Sequence, residues 1–247
     1  MIGNNSDKTW KYYGDKNPYY GVLTDPMFLN SNIENHKTEF FLSGVQYVDE
    51  VMKNIYKHID PGFKPKVAVD FGCGVGRLTL PLSEVATEVY GMDISEGMLT
   101  EARNNCLDKK NISLILSDDN LTLLPHEYDL VHSYIVFQHI PVDRGMQIAR
   151  ILIERLKKGG IGVLHFTYAA LPKNKDRKRK LLRFAYYWVP FLDKLRSIIK
   201  NEAGPMMQMN EYALNDIIRL IQETGCEHIF LALTNHNFYG TTFYFKK

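Results

Sequence analysis

Val67-Ala-Val-Asp-Phe-Gly-Cys-Gly-Val-Gly-Arg77 is a short apolar run that carries one acid and breaks into a glycine-rich turn. Branched and aromatic residues over so short a length read as a strand buried on both faces, with the turn leading into a helix. Open α/β sheets bind ligands at such a unit, because backbone N–H groups at the helix start face the crevice. A dinucleotide fingerprint needs a third glycine at position 77, but that residue is Arg77 and the third glycine comes one position early, at Gly76.

Working outward, four more apolar runs read as strands: Glu88 to Met92, Ile112 to Leu116, Asp129 to Ser133 and Ile161 to Thr167. Between them lie helical patterns. One is capped by Ser95 and shows Met98, Leu99, Ala102 and Cys106 on one face; another shows Ile148, Ile151, Leu152 and Leu156 and stops at Gly159-Gly160. This alternation predicts an α/β fold, a doubly wound parallel sheet with helices on both faces. Toward the end, Asn210 caps a helix with Leu214, Ile217, Ile218 and Ile221 inward and Gly225 as its stop. Ile229 to Leu233 and Phe238 to Phe245 follow as an antiparallel hairpin joined by Thr234 to Asn237. The breakers at Pro61 to Pro65 set off a helical, aromatic N-terminal extension, 1–65, from the main domain, 66–247, which is interrupted by an insertion over 169–205.

The chain has 247 residues, 45% hydrophobic and 23% charged, which suits one globular domain and excludes disorder. Lys and Arg total 30 against 28 Asp and Glu, so the molecule lacks the broad positive field of a dedicated nucleic-acid binder. Seven basic residues and one acid fall between Lys173 and Arg183. That run reads as a solvated helix face, a phosphate-binding patch, or a peripheral membrane contact through 173–199 aided by the aromatics that follow; the solvated face is preferred. Three widely spaced cysteines, Cys73, Cys106 and Cys226, point to a reducing compartment and no structural metal. With a polar N-terminus and no apolar run of roughly 20 residues, the protein is expected in the cytoplasm.

Charge helps choose the ligand. A pyrophosphate beside Asp70 is repelled, whereas the sulfonium and ammonium of S-adenosylmethionine are cations that Asp70 favours directly or through a water. Gly72, Gly74 and Gly76 let the backbone approach such a ligand. Asp93, at the tip of the second strand, is placed to accept both ribose hydroxyls, a feature that fits NAD and S-adenosylmethionine alike. Asp118, Asp119 and Asn120, at the tip of the third, suit the adenine amino group, and Ile94 and Met98 the ring faces.

Asp70-Phe-Gly-Cys-Gly-Val-Gly76, Asp93-Ile-Ser, Ser117-Asp118-Asp119, Tyr128-Asp-Leu-Val131 and Gly159-Gly-Ile-Gly-Val-Leu-His165, in this order, resemble the motifs of class I S-adenosylmethionine-dependent methyltransferases. The resemblance covers about 66–167. It implies a Rossmann-like, seven-stranded sheet in the order 3-2-1-4-5-7-6 with strand 7 antiparallel, and S-adenosylmethionine as cofactor, with S-adenosylhomocysteine as product and no metal. It favours Asp118 of the two acids and sets Ser133, after which the chain leads out beside the transferable methyl, in the cofactor site.

Methyl transfer is an in-line displacement that chiefly needs alignment, but a hydroxyl acceptor must also lose a proton. His139, just past the fourth strand, is the candidate general base, with a loop hydrogen bond as its competing role. His165 and Tyr168 are weaker candidates, and His132 is set aside as lying within a strand. Trp10, Tyr12, Tyr13, Tyr19 and Tyr20 form either a lid on the acceptor pocket or an arm packed on the core.

The expected activity is methylation of a small or carrier-linked metabolite, at oxygen before nitrogen or carbon, with a sugar or glycolipid intermediate as one acceptor. The alternatives are a non-catalytic S-adenosylmethionine-binding regulator, an RNA or protein methyltransferase, and a nicotinamide oxidoreductase, which Arg77 and Asp70 disfavour. Nucleic-acid partners fit poorly. Asn17-Pro18-Tyr19-Tyr20 lacks the second proline of the amino-methylating DNA enzymes' box and does not follow the fourth strand.

Overall fold

The structure, a computed structural model, describes residues 6–171 and 204–247. Seven strands form one sheet: β1 (Val67–Phe71), β2 (Glu88–Asp93), β3 (Ile112–Leu116), β4 (Tyr128–Ser133), β5 (Leu156–Ala170), β6 (His228–Asn235) and β7 (Phe238–Lys246). Their order is β3-β2-β1-β4-β5-β7-β6, as expected. The first five run parallel, and β7 inserts antiparallel between β5 and β6. The basic run 173–183, the membrane contact considered for 173–199 and most of the insertion lie outside the described residues.

Side chains alternate between the two faces of the sheet. Val69, Phe71, Val131, Leu164, Phe166, Phe243 and Phe245 face one core, closed by α6 (Val142–Glu154) and α7 (Leu214–Glu223). Ala68, Leu130, Val163 and Tyr244 face the other, closed by α3 (Ile33–His58) and α4 (Thr79–Val85). α3 buries Phe40, Gly44, Val48, Val51, Met52 and Ile55, a stripe at helical spacing. The segment before residue 65 therefore supplies one layer of the core. A third cluster joins Tyr13, Tyr19, Phe28 and Phe40 to Val75 and Met98, which docks α1 (Ser6–Lys16) and α2 (Pro18–Val22) against the turn after β1 and α5 (Glu96–Asn105).

Three sequence expectations need correction. Leu156 opens β5 instead of closing α6, which ends at Glu154, and Gly159-Gly160 lie inside that strand, with Gly159 at φ 82° beside a register shift. Asn210 does not cap α7, which starts after Ala213; its amide donates to the carbonyls of Gln138 and Ile140. The hairpin turn is only His236-Asn237, with Asn237 at φ 68°, a conformation that asparagine tolerates. Ser95 caps α5 as expected, its hydroxyl accepting the Met98 N–H.

α3 meets the turn after β1 at Gly44, where an added Cβ would lie 2.3 Å from the Arg77 carbonyl oxygen. Overpacking against backbone cannot be relieved by a rotamer change. Gly44→Ala is therefore expected to lower stability by about 2 kcal/mol, read as a lower denaturant midpoint at unchanged slope.

Candidate functional site

The carboxyl ends of β1, β2, β3 and β4 open onto a cavity of about 530 Å³. Its floor is the turn after β1. Gly72 has φ 77°, and an added Cβ there would meet Val136 at 2.3 Å, so both its backbone and its packing require glycine. The Gly72 and Cys73 N–H groups donate to the Met92 carbonyl, and the Gly74 N–H donates to Asp93 Oδ2 at 3.0 Å. Asp93 Oδ1 accepts the Ser95 N–H at 2.9 Å. Burial pushes the Asp93 carboxyl up to about 6, against the pull of backbone N–H groups from Ser95, Gly74 and Ile94. Each of its oxygens keeps a second lone pair for another donor.

Of the other expected cofactor residues, Asp70, Gly72, Gly74, Ile94, Met98, Asp118 and Asp119 line the cavity with Asp93. Three do not. Gly76 packs against Cys106 and Ala102 of α5. Asn120 is exposed and presents its carbonyl to Arg155. Ser133 is buried and donates to the Phe71 carbonyl at 3.0 Å, tying β4 to β1. Asp70 is on the wall, but Oδ1 faces His132 Nδ1 at 2.9 Å and Oδ2 accepts the Thr79 hydroxyl at 2.7 Å. His132, set aside from sequence, thus orients the acid expected to meet the ligand. Asp118 accepts the Thr122 N–H, which holds its carboxyl below the usual range.

His139 is also on the wall, yet both ring nitrogens are engaged. Nδ1 donates to the Gln208 carbonyl at 2.7 Å, and Nε2, left as the acceptor, lies 3.0 Å from the Gln138 amide nitrogen. Burial pushes the ring down to about 4, so it is neutral at physiological pH. Gln138 Oε1 in turn accepts from Thr167 at 2.6 Å and from His236 Nε2 at 2.9 Å. That bond fixes the His236 tautomer and leaves its Nδ1 a bare lone pair, buried and without a partner among the described residues. His165 lies beneath, with Nε2 on Thr234 and burial holding it at about 3. Tyr168 stacks on Tyr239, away from the cavity.

The N-terminal aromatics divide between the two roles read from sequence. Trp10 lines the cavity, its ring edge on His139 at 4.8 Å, whereas Tyr13 and Tyr19 are buried in the third core. Tyr19 hydrogen-bonds Asn105 at 3.0 Å, and Tyr13 donates to the Pro205 carbonyl. Polar staples hold α1 in place: Ser6 donates to the His139 carbonyl, and Arg144 bridges Asp7 on α1 to Asp119 beyond β3. Gln138, His236, Arg144 and Asp7 were not singled out from sequence. Only their convergence in space marks them, since Asp7 and Arg144, and Gln138 and His236, lie far apart along the chain.

Among the described residues, no cluster of three or more His, Cys, Asp or Glu could hold a metal ion, and no helix is long and apolar enough to cross a membrane. The Arg144 bridge is partly solvated and contributes about 1 kcal/mol or less to global stability. Arg144→Gln should leave the denaturation midpoint nearly unchanged while accelerating amide hydrogen exchange across α1. Unaltered exchange there would show that apolar contacts alone hold the helix.

Residues 68–160 match the family described as Methyltransferase domain. The chain is 37% identical over 79 residues to a ubiquinone biosynthesis O-methyltransferase of Hydrogenovibrio crunogenus, covering 31% of this chain and 33% of that protein. It is 39% identical over 77 residues to a magnesium-protoporphyrin O-methyltransferase of Synechocystis, covering 30% and 33%. The chain thus spans about a third of the length of these two relatives. The crystal structure of magnesium protoporphyrin IX methyltransferase from Synechocystis with bound S-adenosylmethionine shares the fold at TM-score 0.62 and 18% identity, over 98% of this chain and 97% of that one. The N-methyltransferase NodS of Bradyrhizobium japonicum does so at TM-score 0.58 and 10% identity, over 98% of each chain. Residues 68–160 thus carry a methyltransferase domain, set in a sheet whose strand order and fold are shared with these structures.

Proposed function

We propose that the chain binds S-adenosylmethionine in the cavity and transfers its methyl group to a small-molecule acceptor, at oxygen before nitrogen or carbon. The observation that carries this is the Asp93 carboxylate, fixed by the Gly74 and Ser95 N–H groups on the cavity wall with lone pairs left for a ribose. The residues fit the cofactor: the floor has no Cβ at Gly72 and Gly74, Asp118 and Asp119 suit adenine, and Ile94 and Met98 suit its faces. When bound, the cofactor supplies an electrophilic methyl on a cationic sulfur. The chain's part is to align an acceptor, exclude water and take up a proton. Trp10, Tyr134 and Phe238 contribute aromatic wall to that end.

For the proton acceptor, His139 would first have to release Gln138. His236 Nδ1 has no hydrogen bond among the described residues to give up, which favours His236 as the base and His139 as the residue that orients Gln138. The relatives include two O-methyltransferases and a phosphoethanolamine N-methyltransferase of Arabidopsis thaliana. Sugar and glycolipid intermediates stay among the acceptors to screen. A regulator that binds without transfer, or an enzyme acting on RNA or protein, is the alternative if no small acceptor turns over.

Calorimetric titration tests the cofactor. S-adenosylmethionine and S-adenosylhomocysteine should bind and NAD should not, with affinity falling at least about tenfold in Asp93→Ala. Binding of NAD alone, or of nothing by folded protein, would overturn the reading. The Asp93 shift sets the pH dependence. The carboxylate is ionised above about 6, so S-adenosylhomocysteine affinity should be full at neutral pH and fall about tenfold by about pH 5. With an acceptor from a labelled-methyl screen, His236→Asn should lower kcat about a hundredfold at unchanged cofactor affinity. A larger effect from His139→Asn would reverse the two assignments.

A further inference from the structure

Arg77 is 6% exposed, yet it forms no ion pair with any described residue. Its Nη1 donates to the Ser43 hydroxyl at 3.2 Å, its guanidinium carbon lies 6.0 Å from the centre of the Phe40 ring, and its Nε has no partner among the described residues. Asp70 is the one carboxylate among its electrostatic neighbours, but it gives its oxygens to His132 and Thr79; the others are the hydroxyls of Tyr47 and Tyr134. A guanidinium so deeply buried is costly unless a negative group compensates it. Burial indeed depresses its proton affinity, though an arginine this basic stays charged.

The arginine lines the cavity, and so does Tyr134, which follows β4. The acids suited to the nucleoside, Asp93 and Asp118, stand at the ends of β2 and β3, on the other side of β1 in the sheet. Beyond Tyr134 the wall continues into His236 and Phe238 at the β6–β7 turn. The cation therefore belongs to the half of the cavity left for the acceptor. The amino-acid end of the cofactor is zwitterionic, and its ammonium offsets the attraction its carboxylate offers a lone guanidinium, whereas an anionic acceptor carries no such offset.

We propose that the acceptor is an anionic small molecule whose carboxylate or phosphate is received by Arg77 inside the cavity. This rests on the cofactor reading above and specifies the substrate class of the same site. A planar guanidinium suits an oxyanion, and an enclosed Nε that no described residue satisfies leaves its charge uncompensated until one arrives. Tyr134, on the same wall, is at hand to complete the receptor, while Ser43 holds the far edge of the guanidinium.

The test uses the full chain, wild type beside Arg77→Gln and Arg77→Lys, each first shown to be folded by its thermal melt. Benzoate and inorganic phosphate are titrated by calorimetry against ligand-free and S-adenosylhomocysteine-saturated protein, with chloride at matched ionic strength as reference. The proposal expects one of the two oxyanions to bind wild type in both states, about tenfold more weakly in Arg77→Gln and with intermediate loss in Arg77→Lys. Absence of oxyanion binding by wild type, or equal binding by Arg77→Gln, overturns it. Methylthioadenosine, which lacks the amino-acid carboxylate, separates the remaining case. If Arg77→Gln weakens S-adenosylhomocysteine but not methylthioadenosine, the arginine serves the cofactor and the proposal fails. If wild type binds neither nucleoside, the cofactor reading fails instead, and the ligand-free titration still decides whether Arg77 receives an anion.

Discussion

The tip of β2 holds the turn after β1, and the geometry of the cavity depends on that grip. Met92 accepts two N–H groups through its carbonyl and Asp93 a third through its carboxylate, so a segment with little side-chain bulk is pinned by its own backbone. Such a turn could not be fixed by packing its own side chains, since Gly72 and Gly74 have none; neighbours fill the space, Val136 against one and Val22 against the other. The same glycines bring together a loop from β4 and a helix from the N-terminus.

The cavity wall sorts its ionisable groups by burial. His139 and His165 are held neutral, which lets His139 accept as well as donate beside Gln138. Asp93 is kept ionised near neutrality by backbone dipoles that partly offset its desolvation. Arg77 has no comparable compensation from the described residues, and this imbalance sets it apart from Arg144, which faces two carboxylates in a wetter position.

The sheet was legible because each strand has its own period and the turn chemistry is local: Gly72 to Gly76, the Ser95 cap and the terminal hairpin are all readable within about a dozen residues. The strand-tip acids were legible for the same reason. The errors share a cause. Leu156 continued a helical stripe, but pairing with Tyr128 drew it into β5, and Asn210 had a capping residue's chemistry but found the Gln138 and Ile140 carbonyls first. His139 was legible beside the fourth strand, but the junction of its neighbour Gln138 with Thr167 and His236 was not, because those residues lie 29 and 98 positions away. Arg77 was visible merely as a residue that was not glycine, and burial gave it its meaning.

α1 bears Ser6, Asp7 and Trp10 on the wall of the cavity, and its polar ties reach two separate elements, the turn at His139 and the start of α6 at Arg144. That wall is therefore assembled from three parts of the chain far apart in sequence, and it keeps its shape only while the N-terminal helix stays docked on both.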